Sequence, residues 1–87
     1  MLHAVTDTYP VLIRRSASGD RAALEQLAAL DSRPLPAGAF LLAEVRDELV
    51  AAASLTADDE PMADPFRRTA EIRDWLRQQA AALRAAA

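Results

Sequence analysis

The chain has 87 residues, a formal net charge of −3, no cysteine and no lysine. This length suits one small domain with a thin core, and the lack of cysteine excludes disulfides and thiolate metal sites. The charge balance is not that of a nucleic-acid-binding protein. Apolar runs are far shorter than the roughly 20 residues that cross a bilayer, so we expect a cytoplasmic protein with neither a membrane nor a nucleic-acid partner.

The first strand is predicted near the beginning of the chain. Residues 1–8 show no hydrophobic periodicity, and we interpret them as a flexible leader before a single domain at 9–87. Residues 9–15 alternate in the manner of a strand, with Val11 and Ile13 on one face.

A first helix is predicted over about 19–31. Ser16 or Ser18 could cap its first free amides, and Pro34 and Pro36 prevent its continuation. Its predicted apolar stripe consists of Leu24, Leu27 and Leu30, with Ala23 and Ala28.

A hairpin of two apolar strands follows, at 40–45 and 49–55. A two-residue turn between them needs positive φ at both positions, and Asp47 is the only residue there that tolerates it well. Both faces of these strands are mostly apolar, so we expect helices or a partner to cover both.

The last strand and the last helix complete the order β-α-β-β-β-α. Residues 61–64 predict a short strand, and the proline that begins it suits a sheet edge. The final helix is predicted to begin near Thr69, with an apolar stripe of Ile72, Leu76, Ala80 and Leu83. The fold class is therefore α/β in the broad sense, of the α+β type, with a mostly antiparallel sheet and two helices.

Three apolar side chains near the end of the chain are candidates for contact with a partner. They are Met62, Phe66 and Trp75. We expect Phe66 and Trp75 to lie in the core, with Trp75 at its boundary, where a partner could cover it.

Charge is distributed unevenly along the chain. Residues 44–64 carry seven acids and one arginine, for a net charge of −6, whereas residues 65–87 carry five arginines and two acids, for +3. The two segments are either separate solvated surfaces or contact each other, within one chain or between two chains.

Two stretches resemble the N-terminal half of the GNAT acetyltransferase superfamily. Residues 11–24, Val-Leu-Ile-Arg-Arg-Ser-Ala-Ser-Gly-Asp-Arg-Ala-Ala-Leu, look like that family's first strand and helix start. Residues 42–52, Leu-Ala-Glu-Val-Arg-Asp-Glu-Leu-Val-Ala-Ala, look like its β2–β3 hairpin. The resemblance implies a domain that corresponds to the family's N-terminal half.

The turn before the last helix departs from this family. There, a glycine-bearing loop lets backbone amides approach the pyrophosphate of acetyl-CoA at a helix N-terminus. This chain has Asp64-Pro65-Phe66-Arg67-Arg68-Thr69 instead. The family's fifth strand and late tyrosine also have no counterpart.

Other chemistry is sparse. Arg67, Arg68 and Thr69 are the only candidates for a weak anion site. The acids at 58–60 lack the spacing of metal ligands, and Ser54 has no histidine near it to act as a base. No catalytic residue and no metal site is predicted.

Three hypotheses follow. The one we favour is a GNAT-like domain that needs no cofactor, catalyses no reaction, and acts through contact with another protein or as a homodimer. The second is an N-acetyltransferase or acyl-CoA-binding protein, with acetyl-CoA as cofactor, whose site is completed by a partner chain. The third is a small regulatory or antitoxin-like protein that uses its terminal helix.

Overall fold

The fold is a four-stranded antiparallel sheet with two helices. The computed structural model describes residues 10–86, so the predicted leader at 1–8 lies outside the described residues. The strands stand side by side in chain order. The elements are β1 Val11–Arg15, α1 Arg21–Leu30, β2 Phe40–Val45, β3 Glu48–Ser54, β4 Met62–Ala63 and α2 Ala70–Ala86. The predicted element order and the α+β class are confirmed. No helix within residues 10–86 has both the length and the apolar character that crossing a bilayer requires.

The two helices pack on opposite faces of the sheet. Consecutive side chains of a strand point to opposite faces, so Phe40 and Leu42 meet α1, whereas Leu41 and Ala43 meet α2. The middle of β3 is formed by three buried alanines at 51–53. Small side chains at the sheet centre let both helices approach closely. The prediction that helices or a partner cover both faces is confirmed, and helices provide this cover.

The β2–β3 hairpin closes with a two-residue turn. Arg46 and Asp47 have φ angles of 54° and 67°, the left-handed conformation that such a turn requires at both positions. Further along, Ala43 pairs with Ala51 whereas Glu44 pairs with Leu49. Val50 is therefore an extra residue in β3, and it packs in the same cluster as α2.

The start of α1 differs from the prediction. No side chain caps α1; a single 3₁₀ turn at Ser18–Asp20 leads into it. The Ser16 hydroxyl instead accepts a hydrogen bond of 2.8 Å from the Phe40 amide, at the start of β2. The predicted serine cap is wrong because bonding this buried strand amide satisfies a donor that water cannot reach.

Arg14 joins the first strand to two carboxylates. Its guanidinium donates to both oxygens of Asp20 at 2.7 and 2.8 Å and to both oxygens of Glu44 at 3.0 and 3.2 Å. Asp20 also accepts the Ala17 amide at 2.7 Å. These donors hold the pKa of Asp20 at about 2, chiefly through Arg14. The ion cluster thus ties together β1, the turn before α1, and β2.

Replacing Asp20 with Asn should reduce the acid sensitivity of folding. The pKa of Asp20 is lower in the folded chain than its ordinary value of 3.8. Its ionised form therefore stabilises the fold above that value, and this contribution is lost as pH falls toward 2. Urea unfolding at neutral and acid pH should show a smaller pH difference for Asp20→Asn than for the wild type. Glu25→Gln, in an exposed pair with Arg21, is the control; equal pH differences in all three proteins would contradict this role.

Each helix buries less of its predicted stripe than expected. Leu30 and Ala23 of α1 are exposed, and α2 buries only Leu76 and Ala80. Leu83, in the last turn of α2, is 43% exposed. Leu30, Ala23 and Leu83 belong to the predicted apolar stripes but lie outside the core.

The contrast between Leu76 and Leu83 can be measured. Leu76 is fully buried, and truncating such a side chain leaves a cavity, so Leu76→Ala should lower the free energy of unfolding by about 2–5 kcal/mol. Leu83→Ala removes the same atoms from a half-exposed position and should cost less than about 1 kcal/mol. Chemical denaturation of both variants checks the difference. Equal losses would mean that α2 packs differently.

Candidate interaction surface

The turn between β4 and α2 is closed by Asp64. Its carboxylate accepts the Phe66 amide at 2.9 Å, and its carbonyl accepts the Arg67 amide at 3.2 Å. Pro65 has no amide hydrogen to donate. The turn itself thus takes up the amides of Phe66 and Arg67, Pro65 has none, and the Asp64 carboxylate places a negative charge beside them.

The three anion-site candidates line one groove. Arg67, Arg68 and Thr69 border an open depression of about 860 Å³ at the start of α2. Thr69 is buried, and its carbonyl accepts the Arg73 amide at 2.7 Å, so the helix begins where the sequence predicts. Arg67, however, already pairs with Glu48 at 2.6 Å. The structure therefore brings the three together but partly neutralises their charge.

The acidic and basic segments contact each other within the chain. Besides the Arg67 pair, Arg77 binds Glu60 at 2.6 Å and Arg84 binds Asp58 at 3.1 Å. Arg77 also lowers the pKa of Glu60. The acids at 58 and 60 thus serve as partners for α2. Within residues 10–86, no group of acidic or histidine side chains could hold a metal ion.

Ser54 has a structural role. It is buried, and its hydroxyl accepts the amides of Thr56 and Ala57 at 3.1 and 2.8 Å. These bonds close the turn that follows β3.

The partner candidates differ in accessibility. Met62 is buried against α1, so its side chain is not available to a partner in this fold. Phe66 is 82% exposed, so the prediction that it lies in the core is wrong. Trp75 is 45% exposed, at the boundary of the core where it was expected. Phe66 belongs to the turn that Asp64 closes, and Trp75 lies beside, rather than on, the line of buried residues of α2.

An apolar groove connects Trp75 with the first strand. Val11 and Ile13 of β1 face Ile72 and Trp75 of α2 across it, with Glu71 at its border. Residues 11–13 are all apolar, which indicates a strand without a fully polar face. Apart from Trp75, this surface was not predicted from the sequence.

The β4 edge of the sheet is covered by side chains from the loop after α1. Ser32, at φ 53°, ends α1 in a Schellman motif that places Asp31 and Arg33 beside β4. Asp31 accepts the Ala63 amide at 3.3 Å, and Arg33 donates to the carbonyls of Pro61, at 3.1 Å, and Glu60. These contacts occupy groups that could otherwise pair with another strand.

Removing Asp31 should expose this edge. Asp31→Ala leaves the buried Ala63 amide without its acceptor, which should cost about 1–3 kcal/mol of unfolding free energy and increase aggregation on storage. Asp31→Asn keeps an acceptor oxygen, so its free energy of unfolding should fall by less. Asp59→Ala, an exposed acid nearby, is the control. Denaturation and light scattering measure both effects, and an Asp31→Ala protein equal to the control would contradict this account.

Comparison of this chain with protein-family models, curated protein sequences and solved structures found no match. The similarity to GNAT acetyltransferases thus remains a resemblance carried by residues 11–24 and 42–52.

Proposed function

We propose that this protein is a non-catalytic interaction module that works as a homodimer, built on a domain similar to the N-terminal half of a GNAT acetyltransferase. The observation that carries the proposal is the closed β4–α2 turn. Asp64 takes up two amides there, and Pro65 offers none. A cofactor pyrophosphate needs free amides and close backbone approach at this place.

Exposed apolar side chains support a role in association. Phe66 and Trp75 are large side chains left in contact with solvent, and Val11 and Leu12 are exposed on β1. A domain of this size has a thin core, so burying more apolar surface against a second molecule stabilises it.

A second candidate function is an acyl-CoA binder or N-acetyltransferase completed by another chain. The groove at the start of α2 favours it, because Arg68 and Thr69 lie on its wall at a helix N-terminus. The pair between Arg67 and Glu48 weighs against it, since it reduces the positive charge available to a phosphate.

Sedimentation equilibrium and an acetyl-CoA titration separate the two functions. The protein should sediment as a dimer at concentrations of about 10–100 µM, the range of a small, weak interface. Calorimetric titration with acetyl-CoA should release no binding heat. A protein that stays monomeric throughout would contradict the dimer, and micromolar binding of acetyl-CoA would contradict the absence of a cofactor.

A further inference from the structure

The two edges of the sheet differ in what covers them. The β4 edge is bonded to Asp31 and Arg33, whereas β1 is the opposite outer strand of the described sheet. Its Leu12 is 56% exposed, and Val11 and Arg15 are exposed as well. An outer strand with exposed apolar residues is a template for pairing with another strand. Of the two edges, β1 is therefore the one suited to association.

The backbone of β1 has a symmetric set of outward bonding groups. The Ser16 amide donates inward to Phe40 at 2.8 Å. Because bonding direction alternates along a strand, Val11, Ile13 and Arg15 direct their amides and carbonyls away from β2. These three positions are symmetric about Ile13. Two antiparallel copies of β1 can therefore be related by a two-fold axis at Ile13. Each outward amide of one copy then faces an outward carbonyl of the other.

The same arrangement matches charge. It places Arg15 of one copy opposite Val11 of the other, with Cα atoms about 5.5 Å apart. Val11 and Glu71 border the same groove. Arg15 of the second copy, opposite Val11, can therefore reach Glu71 of the first. Within residues 10–86, neither Arg15 nor Glu71 has a side-chain ion pair of its own.

We propose that two copies of this chain join through β1 in this antiparallel register, forming one continuous sheet in which Arg15 of each copy pairs with Glu71 of the other. This proposal rests on the proposed homodimer and specifies its interface. Arg15 covers the groove beside Trp75 on one face, and Leu12 contacts the stem of Arg14 from the other copy on the opposite face. Both apolar side chains that β1 exposes are then covered.

A charge exchange tests the pairing. Arg15→Glu and Glu71→Arg should each raise the dimer dissociation constant by about tenfold, because each change reverses one charge in two symmetric pairs. The double variant should return it to within a few-fold of the wild type, measured by analytical ultracentrifugation at low salt. Arg21→Glu, with its partner change Glu25→Arg, is the matched control on α1 and should leave dissociation unchanged.

A backbone change gives a second, independent readout. Val11→Pro removes an outward amide without removing a bond to β2, so it should weaken the dimer while circular dichroism stays unchanged. Hydrogen exchange at Val11, Ile13 and Arg15 should slow as wild-type concentration rises.

The outcomes separate the two proposals. If Val11→Pro, Arg15→Glu and Glu71→Arg all leave the dimer dissociation constant unchanged, like the control, the β1 interface is overturned. The homodimer itself is not. A monomeric wild type would overturn both.

Discussion

Burial of the β2–β3 hairpin on both faces is the constraint on which the rest of the structure depends. Each strand carries apolar side chains at consecutive positions, so either face would be costly to leave in water. Helix α1 covers one face and α2 covers the other. Because the side chains at the middle of β3 are alanines, each helix needs only a short apolar stripe to cover its face of the sheet. Loss of either helix would expose one face of the four-stranded sheet that the described residues form.

Electrostatic contacts hold this arrangement at its periphery. Arg14 fixes β1 and the start of α1 to β2. Arg77 and Arg84 fix α2 to the segment between β3 and β4, and Asp31 and Arg33 fix the end of α1 to β4. The exposed pairs of Arg77 and Arg84 contribute little stability individually. Together, these contacts set which element lies against which, and they leave β1 as the edge without such cover in the described sheet.

Much of the fold could be predicted from the sequence, because period-two and period-3.6 patterns report directly on which faces are buried. The element order and the two-sided cover of residues 40–55 were predicted in this way. The exposure of Leu30 and Leu83 could not be predicted, since each continues the regular apolar stripe of its helix. The pattern alone does not show where the packing partner ends. Ser16 was assigned to a helix cap because local sequence cannot show that a distant strand amide needs an acceptor.

The candidate surface was predicted only in part. The composition of the β4–α2 turn already indicated a poor site for a phosphate, and the structure adds that Asp64 accepts the amides of Phe66 and Arg67. Trp75 was singled out, but its neighbours on β1 lie about sixty positions away in the sequence. Contacts at that separation depend on strand order rather than on any local pattern, so the groove emerges only once the chain is folded.

The presence of arginine and the absence of lysine throughout the chain have a consequence for the conditions that the fold tolerates. A guanidinium keeps its proton at any pH that a protein encounters, so a high pH does not remove the positive charge from these contacts. Only protonation of the carboxylates or screening by salt can weaken them. The ion pairs at the periphery of this domain therefore weaken at low pH or at high salt concentration, but not at high pH.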